Sequence, residues 1–351
     1  MATVKISCIT ENISPLNETL NIIGFAFSSD MDFLKANLLY ETFKKGIGQL
    51  GAYRYKQSPY FFSQSDFDSQ ELTPEDIANL DNNIDVYLAF FENLISSFWL
   101  IKDNCCSLSS IHLFLPEHKR LLEKSTNVRY STCDGRLNVV QPFSKDEISR
   151  AVDTYLKASN LFYHQTFKIK KVKSTESSLI AKRERVPYDV KKITRIERAF
   201  GFLGLARSTS QLPQKIAFYV CIYESLFSGN SQGEISHQLG ERIALYASDS
   251  RFFRRSIYKQ FKDAYAIRSS YFHGGSLSKS EAQLKSISKF LDDLTREVLN
   301  RIVLKDADIF SQTDGSLEKS FRDLLFEDER RPSGLTIEDG LDYLQFRNEL
   351  F

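Results

Sequence analysis

The sequence predicts an α+β chain, mainly α, in which a mixed α/β-containing N-terminal domain over residues 1–144 precedes an all-α helical bundle over 189–304. Three observations predict it. Val4-Lys-Ile-Ser-Cys-Ile9 alternates apolar and polar residues like a strand. Ile84, Leu88, Phe91, Leu94, Ile95, Phe98 and Trp99 recur at helical spacing. Five further segments between 190 and 303 show the same three-and-four periodicity with short breaks between them.

In chain order, Tyr53 to Phe62 is rich in aromatic residues and reads as a second strand. The apolar stripe that follows predicts a long helix over about 85–102, of the kind that packs on a sheet. Ser144-Lys-Asp-Glu147 has the spacing of a capping box and opens a helix running to about Tyr163. That helix and a basic connector together make up 145–188 and lead to the bundle, whose helices are expected near 190–207, 213–228, 231–247, 251–273 and 278–303. In the fourth, Ile257, Phe261, Ala264, Ile267 and Tyr271 face inward, and Arg268 lies one step past Ile267 at the margin of that stripe. An acidic tail occupies 305–351.

Composition bounds the function. Among 351 residues, 46 Lys and Arg balance 45 Asp and Glu, so no global field draws the chain to nucleic acid and any such partner is held locally. Between 168 and 198, eleven Lys or Arg stand against four acids, the local charge a phosphate backbone requires, although a solvated basic linker has the same composition. Lys168, Lys170, Lys171, Lys173, Lys182, Arg183 and Arg185 are the candidate RNA-binding residues. The tail reverses the sign, with twelve acids against six bases, and could fold over the basic segment to compete with RNA.

Five irregularly spaced cysteines form neither a disulfide framework nor a zinc knuckle, and the vicinal Cys105 and Cys106 read as neighbours in a turn. The segment 84–101 carries Glu92 and Asn93 mid-span, which makes it a core helix rather than a membrane span, and the N-terminus lacks a signal peptide, so a cytoplasmic protein is expected. A phosphate-binding glycine loop and a His-Glu-x-x-His run are both absent, and no cofactor or metal is expected. Asp103 with Glu117-His-Lys119 imitates the acid and Glu-x-Lys pattern of metal-dependent nucleases, but Pro116 marks that stretch as a turn. His112, His118, His164 and His237 share no ligand spacing.

The segment with the most chemistry is Tyr265-Ala-Ile-Arg-Ser-Ser-Tyr-Phe-His-Gly-Gly275. RNA cleavage through the RNA's own 2′-hydroxyl needs a proton acceptor, a proton donor and a fixed cation at the phosphate. Histidine serves the proton roles near neutral pH, and arginine supplies a permanent forked charge. The paired glycines predict a left-handed C-terminal cap that places His273 in the last turn, where an Arg and a His also serve simply to complement the helix dipole.

Taken with Arg195-Ile-Glu-Arg-Ala-Phe-Gly-Phe-Leu-Gly-Leu-Ala206, Ile216-Ala-Phe-Tyr-Val-Cys-Ile-Tyr-Glu-Ser-Leu-Phe227 and Glu234-Ile-Ser-His-Gln-Leu-Gly-Glu-Arg-Ile-Ala-Leu245, this motif resembles the HEPN superfamily, in particular its ApeA-like branch, over about 189–304. The resemblance implies a homodimer in which two Arg-x4-His motifs form one composite, metal-independent endoribonuclease site, within prokaryotic antiphage defence by abortive infection. Arg268 would bind the scissile phosphate, His273 would transfer a proton or position the 2′-hydroxyl, and Glu224 would orient either of them. Ser269, where active members often carry Asn, His or Asp, and Tyr271 complete the expected site. The implied partners are RNA, either tRNA or another single-stranded or structured RNA, and a second copy of the chain. Two alternatives remain open: a non-catalytic HEPN-fold module for RNA binding or dimerisation, kept open by Ser269, and a metal nuclease around Glu117 and Lys119.

Overall fold

The architecture, seen in a computed structural model, is α+β and mainly helical. Residues 2–67, 74–126, 128–162, 167–169, 183–185, 192–229, 235–312 and 314–326 are described. The chain forms two compact units, one of Met1–Tyr130, Asn138–Tyr155 and His164–Asp189, the other of Ser131–Leu137, Leu156–Tyr163 and Val190–Phe351.

In the first unit, strands β1 (Ala2–Glu11), β2 (Leu20–Ile22), β3 (Phe25–Ser28), β4 (Tyr60–Phe67), β5 (Ser107–Leu115) and β6 (Arg120–Ser125) make an antiparallel sheet in the order β2-β3-β4-β1-β5-β6. Strand side chains alternate between faces, and both faces are buried here. Phe61, Val4, Ile6, Cys8, Ile111 and Leu113 pack with Phe91, Leu94 and Ile95 of helix α3 (Pro74–Ser97) and Ile148 and Ala151 of α4 (Lys145–Asn160). Tyr60, Phe62, Ile9 and Phe114 face the other way, onto Leu34 of α1 (Met31–Asn37) and Phe43 and Tyr55 of α2 (Glu41–Gln57). A sheet covered on both sides explains why every residue of β5 is buried. A short hairpin, β7 (Phe167–Ile169) with β8 (Arg183–Arg185), completes the unit.

Two boundaries differ from those expected. Tyr53 to Gln57 closes α2, and only from Tyr60 does the segment become a strand. Ser58, at φ −134° and ψ 148°, precedes Pro59, whose ring forces the preceding residue out of the helical region and separates the two elements. Helix α3 begins eleven residues earlier than periodicity alone suggested, at Pro74, since proline is well suited to a first helical position. Cys105 and Cys106 are buried just before β5; the Cys105 thiol faces the Val139 carbonyl at 3.4 Å, and none of the five cysteines forms a disulfide.

Buried in the first unit, Ser7 Oγ and Tyr55 OH lie 2.5 Å apart, and Tyr55 OH is 2.8 Å from His112 Nδ1. The far side of that imidazole, Nε2, reaches Glu123 Oε1 at 3.5 Å, an ion-pair contact too long for a good hydrogen bond. The His112 ring, with Arg54 nearby, holds the Glu123 carboxyl below its ordinary 4.5 against the opposing effect of partial burial. A carboxyl lowered on folding contributes stability above its unfolded pKa, and that contribution is lost as pH falls through the folded value. Wild type is therefore expected to exceed Glu123→Gln in stability at about pH 5. The margin should vanish on further acidification, which urea denaturation across pH 3–7 would show.

The second unit is helical: α5 (Arg195–Ser208), α6 (Leu212–Phe227), α7 (Ile235–Ala247), α8 (Arg251–His273), α9 (Glu281–Arg301), a π turn at Ile302–Asp306, α10 (Ala307–Phe310) and α11 (Asp314–Phe326). Helix α6 is central, its Ile216, Tyr219, Val220, Ile222, Tyr223 and Phe227 buried against the surrounding helices, as expected of a helix apolar nearly all round. Capping boxes, Thr194 with Glu197 and Ser280 with Gln283, start α5 and α9.

The acidic segment beyond Leu304 belongs to this unit as far as Phe326. Leu317 and Phe321 are buried, and the Phe321 ring lies 5.4 Å from that of Phe227. Asp306 accepts from Arg301 and Tyr246, each at 2.8 Å, and Asp314 pairs with Arg195. These acids answer arginines of the helical unit itself; residues 327–351 and most of the basic segment lie outside the described residues.

Candidate functional site

Helix α8 builds the site. Ile257, Phe261, Ala264 and Ile267 form its buried stripe, which ends one turn earlier than expected because Tyr271 is only half-buried. No residue from 268 to 286 is buried, so the end of α8, the following loop and the start of α9 project from the bundle. Gly274 adopts φ 74° and ψ 18°, the left-handed cap expected, and the Gly275 N–H donates to the Ser270 carbonyl at 2.8 Å. A Cβ at Gly274 would meet nothing within 4 Å, so its cost is conformational alone. Gly274→Ala should destabilise by about 1 kcal/mol, visible as a lower urea midpoint at unchanged slope.

Arg268 leaves α8 at the edge of the stripe and reaches α6. Its Nη2 donates to Glu224 Oε2 at 3.1 Å, and both side chains are about three-quarters buried. The guanidinium carbon lies 5.7 Å from the Tyr265 ring centre and 5.3 Å from that of Phe272, within cation–π range on two sides. Arg268 Nε is buried without a hydrogen-bond partner among the described residues. The guanidinium is thus held by a carboxylate and two rings, with bonding capacity left over.

Neighbouring groups share this environment. Burial, reinforced by the Glu224 charge and opposed by Arg268, pushes the Cys221 thiol up to about 11. It therefore stays protonated at neutral pH and is no nucleophile. Burial and Glu224 likewise raise the Tyr265 phenol.

His273 is the last residue of α8 and is exposed. Five steps along a helix rise about 7.5 Å and turn roughly 140°, so within one chain Arg268 and His273 point away from each other. The fold brings Arg268 to Glu224 and leaves His273 on the projecting end. Ser269 is half-buried beside Arg268, and the Tyr271 ring packs edge-on to Phe272 at 5.6 Å.

Among the candidate RNA-binding residues, Lys168 lies on β7, and Arg183 and Arg185 on β8. Lys170, Lys171, Lys173 and Lys182 lie outside the described residues. The alternative acid pattern is dispersed: Asp103 precedes β5 and Glu117 follows it, and a nine-residue strand spans about 30 Å. Glu117 instead accepts from the Thr3 N–H at 3.1 Å, in the turn that Pro116 begins. Among the described residues no group of three or more His, Cys, Asp or Glu is placed to hold a metal ion. No described helix is long and apolar enough to cross a membrane.

One feature escaped the sequence. Beside Glu224, on the α5 side of α6, opens a cavity of about 360 Å³ whose lining includes Arg195, Arg198, Phe202 and Cys221. In sequence, Arg195 and Arg198 only add to a basic count; four-residue recurrence of Arg198 and Phe202 on one helix face is a signal too common to mark a pocket. The chain matches no protein-family model, no curated protein and no solved structure.

Proposed function

We propose that the helical unit is a metal-independent endoribonuclease of HEPN type, working as a homodimer. The observation that carries this reading is the state of Arg268: oriented by Glu224, flanked by two rings, and five residues before the exposed His273 on the same helix. A preorganised cation of this kind is suited to charge that develops on a phosphate. Because the two side chains diverge along one helix, a complete site takes His273 from one copy and Arg268 from the other, or pairs both motifs across a two-fold axis. The end of α8 gives a second copy access to the exposed His273, and the Arg268 side chain keeps about a quarter of its surface exposed.

In the reaction, the 2′-hydroxyl attacks the adjacent phosphorus as its proton passes to a base. The bond to the 5′-oxygen breaks, that oxygen takes up a proton, and a 2′,3′-cyclic phosphate and a 5′-hydroxyl remain. His273 serves proton transfer, Arg268 the phosphate, and Glu224 positions Arg268. The setting that follows from the family resemblance is cytoplasmic antiphage defence, with RNA the partner.

The experiment is incubation of the full chain with total tRNA and a long single-stranded RNA in EDTA, followed by analysis of fragment ends. Cyclic-phosphate ends produced by the intact protein, and lost in His273→Ala, are expected. Cleavage that EDTA abolishes, or that His273→Ala retains, would remove the mechanism.

A further inference from the structure

The cavity beside Glu224 is polar, and its two walls differ in hydrogen-bonding character. The α6 wall is rich in acceptors. A carboxylate is acceptor-only with about four lone-pair sites, and Glu224, which receives Arg268 on Oε2 and also hydrogen-bonds with Cys221 and Tyr265, keeps about one of them for the space. Ser225 Oγ donates to the Cys221 carbonyl at 2.9 Å and Ser228 Oγ to the Glu224 carbonyl, which turns both hydroxyl oxygens into acceptors toward the space. The α5 wall supplies the donor and the flat surface: Arg198, exposed at the rim, spends one Nη1 donor on the Ile193 carbonyl at 3.2 Å and has further N–H groups, and the Phe202 ring is half-buried one turn further on. Arg195 is engaged already, donating to the Ser225 and Ser228 carbonyls at 3.2 and 2.7 Å and pairing with Asp314.

The paired acids Glu224 and Asp314 make this a poor site for a bare phosphate, since the lining carries no excess positive charge. A flat, uncharged molecule with two adjacent donors on one edge and acceptors on another suits it better. Among the four RNA bases that description fits guanine, whose N1–H and 2-amino group lie side by side while O6 and N7 accept from arginine. Adenine and uracil each offer one donor group flanked by acceptors, and cytosine one beside an acceptor and a C–H, so none places two donors side by side against the α6 wall. The volume lies within the range of small-ligand sites. Glu224 bounds the cavity on one side and holds Arg268 on the other, so a base in the cavity and a phosphate on Arg268 would share that carboxylate as a neighbour.

We infer that this cavity is a guanine-binding pocket that selects the nucleotide at which RNA is cut, with Phe202 as stacking surface, Arg198 as donor and the Glu224 wall as acceptor. Assignment of the base to the substrate rests on the ribonuclease reading; guanine binding itself does not.

The test is calorimetric titration of the full chain with each of the four nucleoside 3′-monophosphates, alongside mapping of cleavage positions in a mixed-sequence RNA. Expected is a preference for 3′-GMP of about tenfold, equivalent to ~1.4 kcal/mol. It should be lost in Arg198→Ala and Phe202→Ala, kept in Phe202→Tyr, and kept in His273→Ala. Circular dichroism establishes that the variants fold. Equal affinity for all four nucleotides, or a guanine preference untouched by both alanine variants, overturns the pocket, and cleavage lost in His273→Ala would then still support the ribonuclease. Selective 3′-GMP binding by a protein that cuts no RNA supports the pocket and removes the ribonuclease. Selective binding with cleavage spread evenly over all bases overturns the assignment to the substrate in favour of a free guanine nucleotide.

Discussion

Replacing His273 with alanine is expected to lower RNA cleavage by roughly 10²- to 10⁴-fold, the range that loss of a positioned acid or base commands. Thermal unfolding should not change, because the side chain is exposed and makes no hydrogen bond or ion pair among the described residues. Single-turnover cleavage of a defined RNA measures the first, and a melting curve on the same preparation the second. Arg268→Ala should be comparably damaging, since removing a preorganised donor to developing charge costs about 3 to 4 kcal/mol. Arg268→Lys should recover little. A point charge cannot reproduce the planar group that meets Glu224 while lying near both Tyr265 and Phe272. If the site is composite, mixing His273→Ala with Arg268→Ala protein should restore part of the activity, because each mixed dimer retains one complete pair. A functional site contained in one chain would give no restoration. Glu224→Gln tests positioning: it keeps an acceptor for Arg268 and removes the charge, so binding of the RNA should suffer less than the cleavage step.

Asp292→Ala is expected to be the most damaging single change to stability, at about 3 to 5 kcal/mol, the cost of breaking one side of a buried charge pair. Asp292 is 1% exposed and accepts from Tyr219 OH, itself fully buried on the central helix α6, while pairing with Arg296 one turn along α9. Arg296 also donates to Asp293 at 2.8 Å, and burial raises that second carboxyl despite the arginine beside it. A single guanidinium therefore stabilises two acids where water is scarce, and Thr295 donates to Tyr223 OH at 3.0 Å in the same layer. Removing the acceptor that Tyr219 and Arg296 share unbalances that arrangement. The melting temperature should drop on the order of 10 °C. Asp292→Asn, which keeps an acceptor and loses the charge, should fall between wild type and alanine. A loss below 1 kcal/mol for Asp292→Ala would show that the layer contributes little net stability.

The two changes separate cleanly. His273 lies on the exposed helix end and Asp292 in the interior, so one should lower cleavage without loss of stability and the other should lower stability.

Much of the local structure was legible in the residues because its determinants are local. The stripe Ile257, Phe261, Ala264, Ile267 and the glycine after His273 report a one-faced burial and a torsional preference within a few residues, and the alternation at Val4 to Ile9 marks a strand although Lys5 and Ser7 are buried with their apolar neighbours. Such patterns placed strand β1, helices α5 to α9 and the left-handed cap. They misplaced Tyr53 to Gln57, where aromatic residues suit a strand and a buried helix face equally, and Tyr55 turned out to be the latter. They also drew the acidic segment as a tail, since charge was counted without the arginines that answer it: Arg301 for Asp306 and Arg195 for Asp314.

What the sequence determined by itself was the identity and spacing of Arg268 and His273 and the helix that carries them to a glycine stop. Tertiary structure alone decided that Glu224, forty-four residues earlier, holds Arg268, that two rings flank that arginine, and that Arg198 and Phe202 open a cavity on the far side of the same carboxylate. The physical reason is that periodicity tells each helix which face to bury, whereas the neighbour it meets there depends on how the ridges of α5, α6 and α8 interlock, a property of three surfaces together and of no one segment.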